Sequence, residues 1–132
     1  MEQHRIPIID EWVFYHELNA ANARKAMYRL FAHAPYPEAI FAANDVTALT
    51  ILECAIEFGR SVPGELKIVG YSNDPRTSIV SPSITTIEQF PEQIGTVIVA
   101  ELLRILKGEK QEIAADTTPI VTPVQLIRRM ST

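Results

Sequence analysis

Ala39-Ile40-Phe41-Ala42-Ala43 is an unbroken apolar run between Pro37 and Asn44-Asp45. A run this short, with no polar alternation, suits a strand buried on both faces. That condition demands helices above and below a mostly parallel sheet. The rest of the chain supplies them: short extended runs alternate with longer stretches of helical periodicity, and Pro, Gly and Asn punctuate the changes. The expected fold class is therefore α/β, a mostly parallel sheet flanked by helices.

The elements follow in order. Ile6–Asp10 reads as a short strand. Ala23, Met27, Leu30, Phe31 and Ala34 recur at helical spacing opposite Arg24, Lys25 and Arg29, a helix of about four turns ending before Pro35. After Asn44-Asp45 a second helix runs through Leu49, Leu52 and Ile56 to Gly59, which is placed for a left-handed C-terminal position. The Leu66–Tyr71 run is a further strand, and Ser72-Asn73-Asp74-Pro75 is turn chemistry. Ile84–Gln89 is extended, and Pro91 opens a helix in the turn that tolerates proline. Between Ile94 and Leu106 that helix is so apolar that it needs cover on most sides. Thr118–Met130 is extended, with Pro119 and Pro123 favouring an edge or crossing segment.

Size and charge narrow the function. One chain of 132 residues, 47% of them apolar, suits a single compact domain able to bury roughly two-thirds of its unfolded surface. Sixteen acidic residues against twelve basic ones give a net charge of −4, which does not attract a phosphate backbone. Cys54, the single cysteine, makes no intrachain disulfide, and reads as a small packed hydrophobe in a reducing, cytoplasmic setting. No membrane segment or secretion signal is expected, because no long apolar stretch is present. His4, His16 and His33 share no metal-ligand spacing, so neither a metal nor a cofactor is expected. The chain carries no P-loop, GxGxxG, HExxH or GxSxG and no histidine–acid relay spacing, which points away from an enzyme.

In open α/β sheets ligands bind beyond the carboxyl ends of the strands. Asn44-Asp45 ends one buried strand and Ser72-Asn73-Asp74 ends another, so both turns belong on one rim. Trp12, Phe14 and Tyr15 follow the first strand, and aromatic faces suit a flat ligand or a sugar ring. The candidate ligand-binding residues are Trp12, Phe14, Asn44, Asp45, Ser72 and Asn73. A plainer role is open to each: a helix cap at Asn44 or Asp45, turn formation at Ser72 and Asn73, core packing at Trp12.

Four stretches then carry a resemblance. Ala39 to Leu49 is similar to the "AIFAANDxxALG" strand–turn–helix of LacI/GalR transcription regulators, and Val62-Pro63 with Ile68-Val69-Gly70-Tyr71 resembles their "xVPxDVxVVGFDD". Ser81 to Gln89 is similar to "SPxLTTVxQ", and Pro123 with Leu126 to Thr132 resembles "LPxELVVRxST". The match covers residues 6–132 in order and at family spacing. Two positions depart from the pattern: Ser72 and Asn73 stand where the family usually has two aspartates, and Thr50 where it has glycine.

The resemblance implies part of a two-lobed, periplasmic-binding-protein-like type I domain. Residues 1–89 would form the C-terminal lobe, 90–117 a helix and segment returning to the other lobe, and 118–132 the terminal crossing strand. It implies sensing of a small polar effector, sugar-like in character, and DNA contact only through an N-terminal helix-turn-helix absent from this sequence. It also implies a homodimer with Leu49, Leu52, Glu53, Ile56, Ile79 and Val80 near the two-fold contact. The alternative is a fragment of a periplasmic-type sugar or solute-binding protein. Against it stand the missing signal peptide, Thr85 to Gln89, and the Arg129-x-Ser131-Thr132 ending.

Overall fold

The computed structural model describes residues 8–108 and 119–132. The chain divides into two compact units, one of Met1–Ile87 with Leu126–Thr132 and one of Glu88–Gln125.

The first unit begins with a single 3-10 turn, Asp10–Trp12. The strand expected over Ile6–Asp10 does not form where the structure describes it. A strand needs a hydrogen-bonded neighbour, and Ile8 and Ile9 pair with none among the described residues. The chain instead closes a local turn, with the Trp12 amide donating to the Ile9 carbonyl at 2.9 Å. Residues 6 and 7 lie outside the described segment.

Helix α1 spans Ala20–Phe31. Asn19 caps it, its side-chain oxygen accepting from the Asn22 amide at 2.9 Å, and Ala23, Ala26, Met27, Leu30 and Phe31 face inward. It ends three residues earlier than the periodicity to Ala34 suggests. Strand β1, Ala39–Phe41, leads into α2, Asp45–Glu57. Gly59 closes α2 at φ +66°, the left-handed position its spacing predicts. Helices α1 and α2 pack on each other, and Arg24 spans their outer side to Glu53 at 2.8 Å and Glu57 at 2.5 Å. The Arg24 guanidinium holds the Glu57 carboxyl below its ordinary range. On an open surface this network adds little stability.

Strand β2, Lys67–Val69, runs parallel to β1 with Ile40 opposite Ile68. Beyond it Val69 bridges Thr85 in parallel, the Gly70 amide donates to the Thr85 carbonyl at 2.8 Å, and the Ser72 amide donates to the Ile87 carbonyl at 2.9 Å. The parallel α/β architecture read from the sequence is thus observed. Short helix α3, Arg76–Ile79, which no periodicity announced, follows the turn at Asp74, whose carbonyl accepts from the Thr77 amide and hydroxyl. Strand β3, Thr86–Glu88, pairs with β4, Gln125–Ile127.

The core lies between α1, α2 and the sheet, with Ile51, Leu66, Ile68 and Ile84 fully enclosed. Each such side chain contributes roughly 1.5–3 kcal/mol by leaving water. Cys54 sits among them as a packed hydrophobe.

In the second unit α4 spans Pro91–Leu106, with Pro91 in its first turn and Gly108 at φ +70° after its end. None of its residues is buried, so the cover its apolar sequence calls for is not present in the chain as described.

Candidate functional site

The turn after β2 holds two adjacent non-glycine residues at positive φ. Ser72 and Asn73 take φ values of 118° and 50°, a region that non-glycine residues occupy at a cost of about 1–3 kcal/mol each. Three amides held from below oppose that cost. The Ser72 amide donates to Ile87, the Asn73 amide to the Thr86 hydroxyl at 3.2 Å, and the Asp74 amide to the Asp45 carboxylate at 2.7 Å.

Asp45 is the hub of this arrangement. Its carboxylate is 1% exposed and also accepts from the Thr86 hydroxyl at 2.8 and 3.0 Å and from Ser72 Oγ at 3.5 Å. Its place in the first turn of α2 adds the favourable field of the helix N-terminus. The sequence placed Asp45 among the ligand contacts. The structure commits its carboxylate to the protein's own groups, the Thr86 and Ser72 hydroxyls and the Asp74 amide. Gly70 is what allows the approach: a β-carbon there would lie 2.0 Å from Asp45 Oδ1.

Asn44 caps α2, its side-chain oxygen accepting from the Thr47 amide at 2.8 Å, while its amide nitrogen donates to the Leu18 carbonyl at 3.0 Å. Capping, the plainer of its two roles, is therefore real. Asp74 forks onto Arg76 at 2.6 and 2.9 Å, and those bonds hold its carboxyl down at about 2. Asn73 turns its side-chain oxygen to Arg129, which donates from Nη2 at 2.8 Å.

Trp12 and Phe14 are half-buried and belong to a different part of the surface. They pack against the core and line a cavity of about 470 Å³ that runs along β1 and reaches Leu18, Met27 and Thr47. Its walls are mainly apolar. Asp45, Ser72 and Asn73 are brought together in one network, whereas the two aromatics join the cavity, and Asn44, bonded to the Leu18 carbonyl, stands between the two.

The residues expected at a two-fold contact divide. Ile56 and Ile79 are exposed, at 59% and 81%, and Glu53 is exposed but bonded to Arg24. Leu49 and Val80 are half-buried against the core. Leu52, 4% exposed, belongs to the core cluster. Sequence reasoning missed Thr86 and Arg129 as rim residues. Thr86 and Arg129 both lay within quoted motifs.

Among the described residues no three His, Cys, Asp or Glu side chains are grouped to hold a metal ion. No helix among them is long and apolar enough to cross a membrane.

The parallel strands thus end in a hydrogen-bonded polar rim. The family model for the periplasmic binding protein-like domain matches residues 2–132, and the chain belongs to that family as part of a LacI/GalR-type ligand-binding domain. The HTH-type transcriptional repressor PurR of Yersinia pestis (strain Pestoides F) is 29% identical over 112 residues, 85% of this chain and 33% of the repressor. Among solved structures, the transcriptional regulator CelR in complex with cellobiose matches 99% of this chain and 39% of its own, at 26% identity and a TM-score of 0.89. The lac repressor dimer bound to operator and the anti-inducer ONPF matches 86% of this chain and 38% of its own, at 27% identity and a TM-score of 0.76. The chain spans about a third of the length of the curated relatives it matches.

Proposed function

We propose that this chain is the effector-sensing part of a transcription regulator, in which a small polar molecule, sugar-like in character, binds at the strand-end rim of Asn44, Ser72 and Asn73, while Trp12 and Phe14 line the separate cavity along β1. The observation that carries the reading is the preorganised turn at Ser72–Asp74, held by buried bonds to Asp45 and Thr86. Rigid polar groups at strand ends bind with little ordering cost. The likeness to the CelR–cellobiose complex supports a sugar over a peptide or a nucleic acid. The role is binding and not catalysis, and any DNA contact belongs to a helix-turn-helix outside these residues. A cytoplasmic setting goes with that role. The periplasmic solute-binding alternative finds less support, since the relatives named above are repressors and regulators.

A thermal-shift series with monosaccharides, disaccharides and nucleobases tests the proposal, because a ligand at a hundred times its Kd stabilises the native state by about 2.7 kcal/mol. Asn73→Ala and Asn44→Ala are expected to weaken binding of the active compound by about 1–3 kcal/mol each by calorimetry. Unchanged affinity in both folded variants returns these residues to capping and turn formation alone.

We also propose that the lobe self-associates through Ile56 and Ile79, rimmed by Glu53, with Leu49 and Val80 beneath. An isologous contact needs one apolar patch meeting itself. Ile79→Asp is expected to convert a dimer to a monomer in sedimentation velocity without loss of folding, since the side chain is exposed. An unaltered sedimentation coefficient removes this face from the interface.

A further inference from the structure

We infer that Arg129 is a positioning residue for the rim, fixing the Asn73 side chain and through it the left-handed turn at Ser72–Asn73; the inference rests on the reading above that this turn meets the ligand. Arg129 belongs to the terminal segment, 56 residues away in sequence from Asn73. Its guanidinium joins three separate pieces of the lobe. Nη1 donates to the Thr77 hydroxyl of α3 at 2.9 Å and to the Ile84 carbonyl before β3 at 2.8 Å, and Nη2 donates to Asn73 Oδ1 at 2.8 Å.

A guanidinium has donors only, so Asn73 must turn its oxygen, not its nitrogen, toward Arg129. The fork is planar, and one side chain thereby sets the spacing of three acceptors, which a lysine ammonium on a flexible stem does not reproduce. The guanidinium is itself anchored from behind. The Arg129 amide donates to Thr85 Oγ1 at 2.9 Å, and two residues later Ser131 is fully enclosed, bonded to Ile68 and Thr85. The backbone of the turn is held by the sheet and by Asp45, while Arg129 holds the side chain that projects from it. An unfavourable φ at two adjacent residues persists only where the surroundings over-determine it.

Amide hydrogen exchange by NMR on the whole chain tests this without any ligand. In Arg129→Gln, exchange at the Ser72, Asn73 and Asp74 amides is expected to rise about tenfold or more, as loss of a charge-assisted bond implies. The α2 amides of Ala48 and Ile51 should stay within about twofold. Arg129→Lys should resemble Arg129→Gln. Asn73→Ala, a change at a half-buried position, carries the same test if Arg129→Gln does not fold: it should speed the Ser72 and Asp74 amides alone. If both variants fold, adding Arg129→Gln to Asn73→Ala should contribute less than about twofold more. Unchanged exchange at Ser72–Asp74, an equal rise throughout α2, or full additivity of the two changes would overturn the assignment. Cellobiose added to the same samples addresses the rim separately: absence of shifts at Ser72–Asp74 counts against that ligand reading, while exchange alone decides Arg129.

Discussion

Asp45→Ala is expected to cost the lobe about 3–5 kcal/mol, read as a lowered midpoint of urea unfolding followed by fluorescence of Trp12. The carboxylate accepts from Thr86 Oγ1 and the Asp74 amide, and removing it strands both donors in an enclosed space. Each stranded donor costs about 1–3 kcal/mol, and the vacated volume adds to that. Domains of this kind hold about 5–15 kcal/mol in all, so a large share of the stability goes at once. Asp45→Asn keeps an oxygen for one of the two donors and should lose less.

Gly70→Ala is the complementary experiment. Its β-carbon would meet Asp45 Oδ1 at 2.0 Å and the Ala48 β-carbon at 3.1 Å, so the buried carboxylate has to move and its bonds with it. The two substitutions should then be far from additive, because the clash with the carboxylate disappears once residue 45 has none and only the 3.1 Å approach to Ala48 is left. Strict additivity in the double variant would show that the approach of Gly70 to Asp45 is not what constrains residue 70.

The second large effect is expected at the last turn of the chain. Ser131 is fully enclosed, and its hydroxyl both donates to the Ile68 carbonyl at 2.5 Å and accepts from the Thr85 amide at 2.9 Å. Its backbone adds bonds to the Ile68 amide and the Ser83 carbonyl, both at 3.0 Å. One residue thus stitches β2 to the approach to β3, below the point where Val69 and Thr85 begin to pair. Ser131→Ala leaves a buried N–H and a buried carbonyl without their partner and should cost about 2–4 kcal/mol in the same unfolding assay. Thr132→Ala, at an exposed end, should cost less than about 1 kcal/mol. Equal effects at the two positions would remove the special role of Ser131.

Where the sequence was legible, the deciding interactions were local. Asn44 and Gly59 bracket α2 because a cap and a left-handed C-terminal residue act within four residues of the helix they end. The inward face of α1 was visible in its three- and four-residue spacing. The strand read at Ile6–Asp10 is not found over the described residues 8–10 for the converse reason: apolar residues favour extension, but only a neighbouring strand makes it a strand, and no local pattern reports whether one is there. The rim is the extreme case. Asp45 meets Thr86 across 41 positions and Arg129 meets Asn73 across 56, so the residue types at the turn suggested polar chemistry without revealing which groups face a ligand and which are consumed in holding the turn. The burial of Leu52 was hard to read in the same way, since α2 has core on more than one of its sides.

Cys54 gives the lobe a chemical clock. The single thiol of the chain lies on the buried side of α2, 0% exposed, and burial pushes its pKa up, so in the closed form it is both out of reach and uncharged. Only the thiolate attacks an alkylating or disulfide reagent. Modification therefore waits for the core to open, and for an opening free energy of about 5 kcal/mol only on the order of one molecule in several thousand is open at a given moment. The rate at which that sulfur is consumed then counts openings of the core, and a small molecule that grips the rim slows the count in proportion to how far it holds the lobe shut.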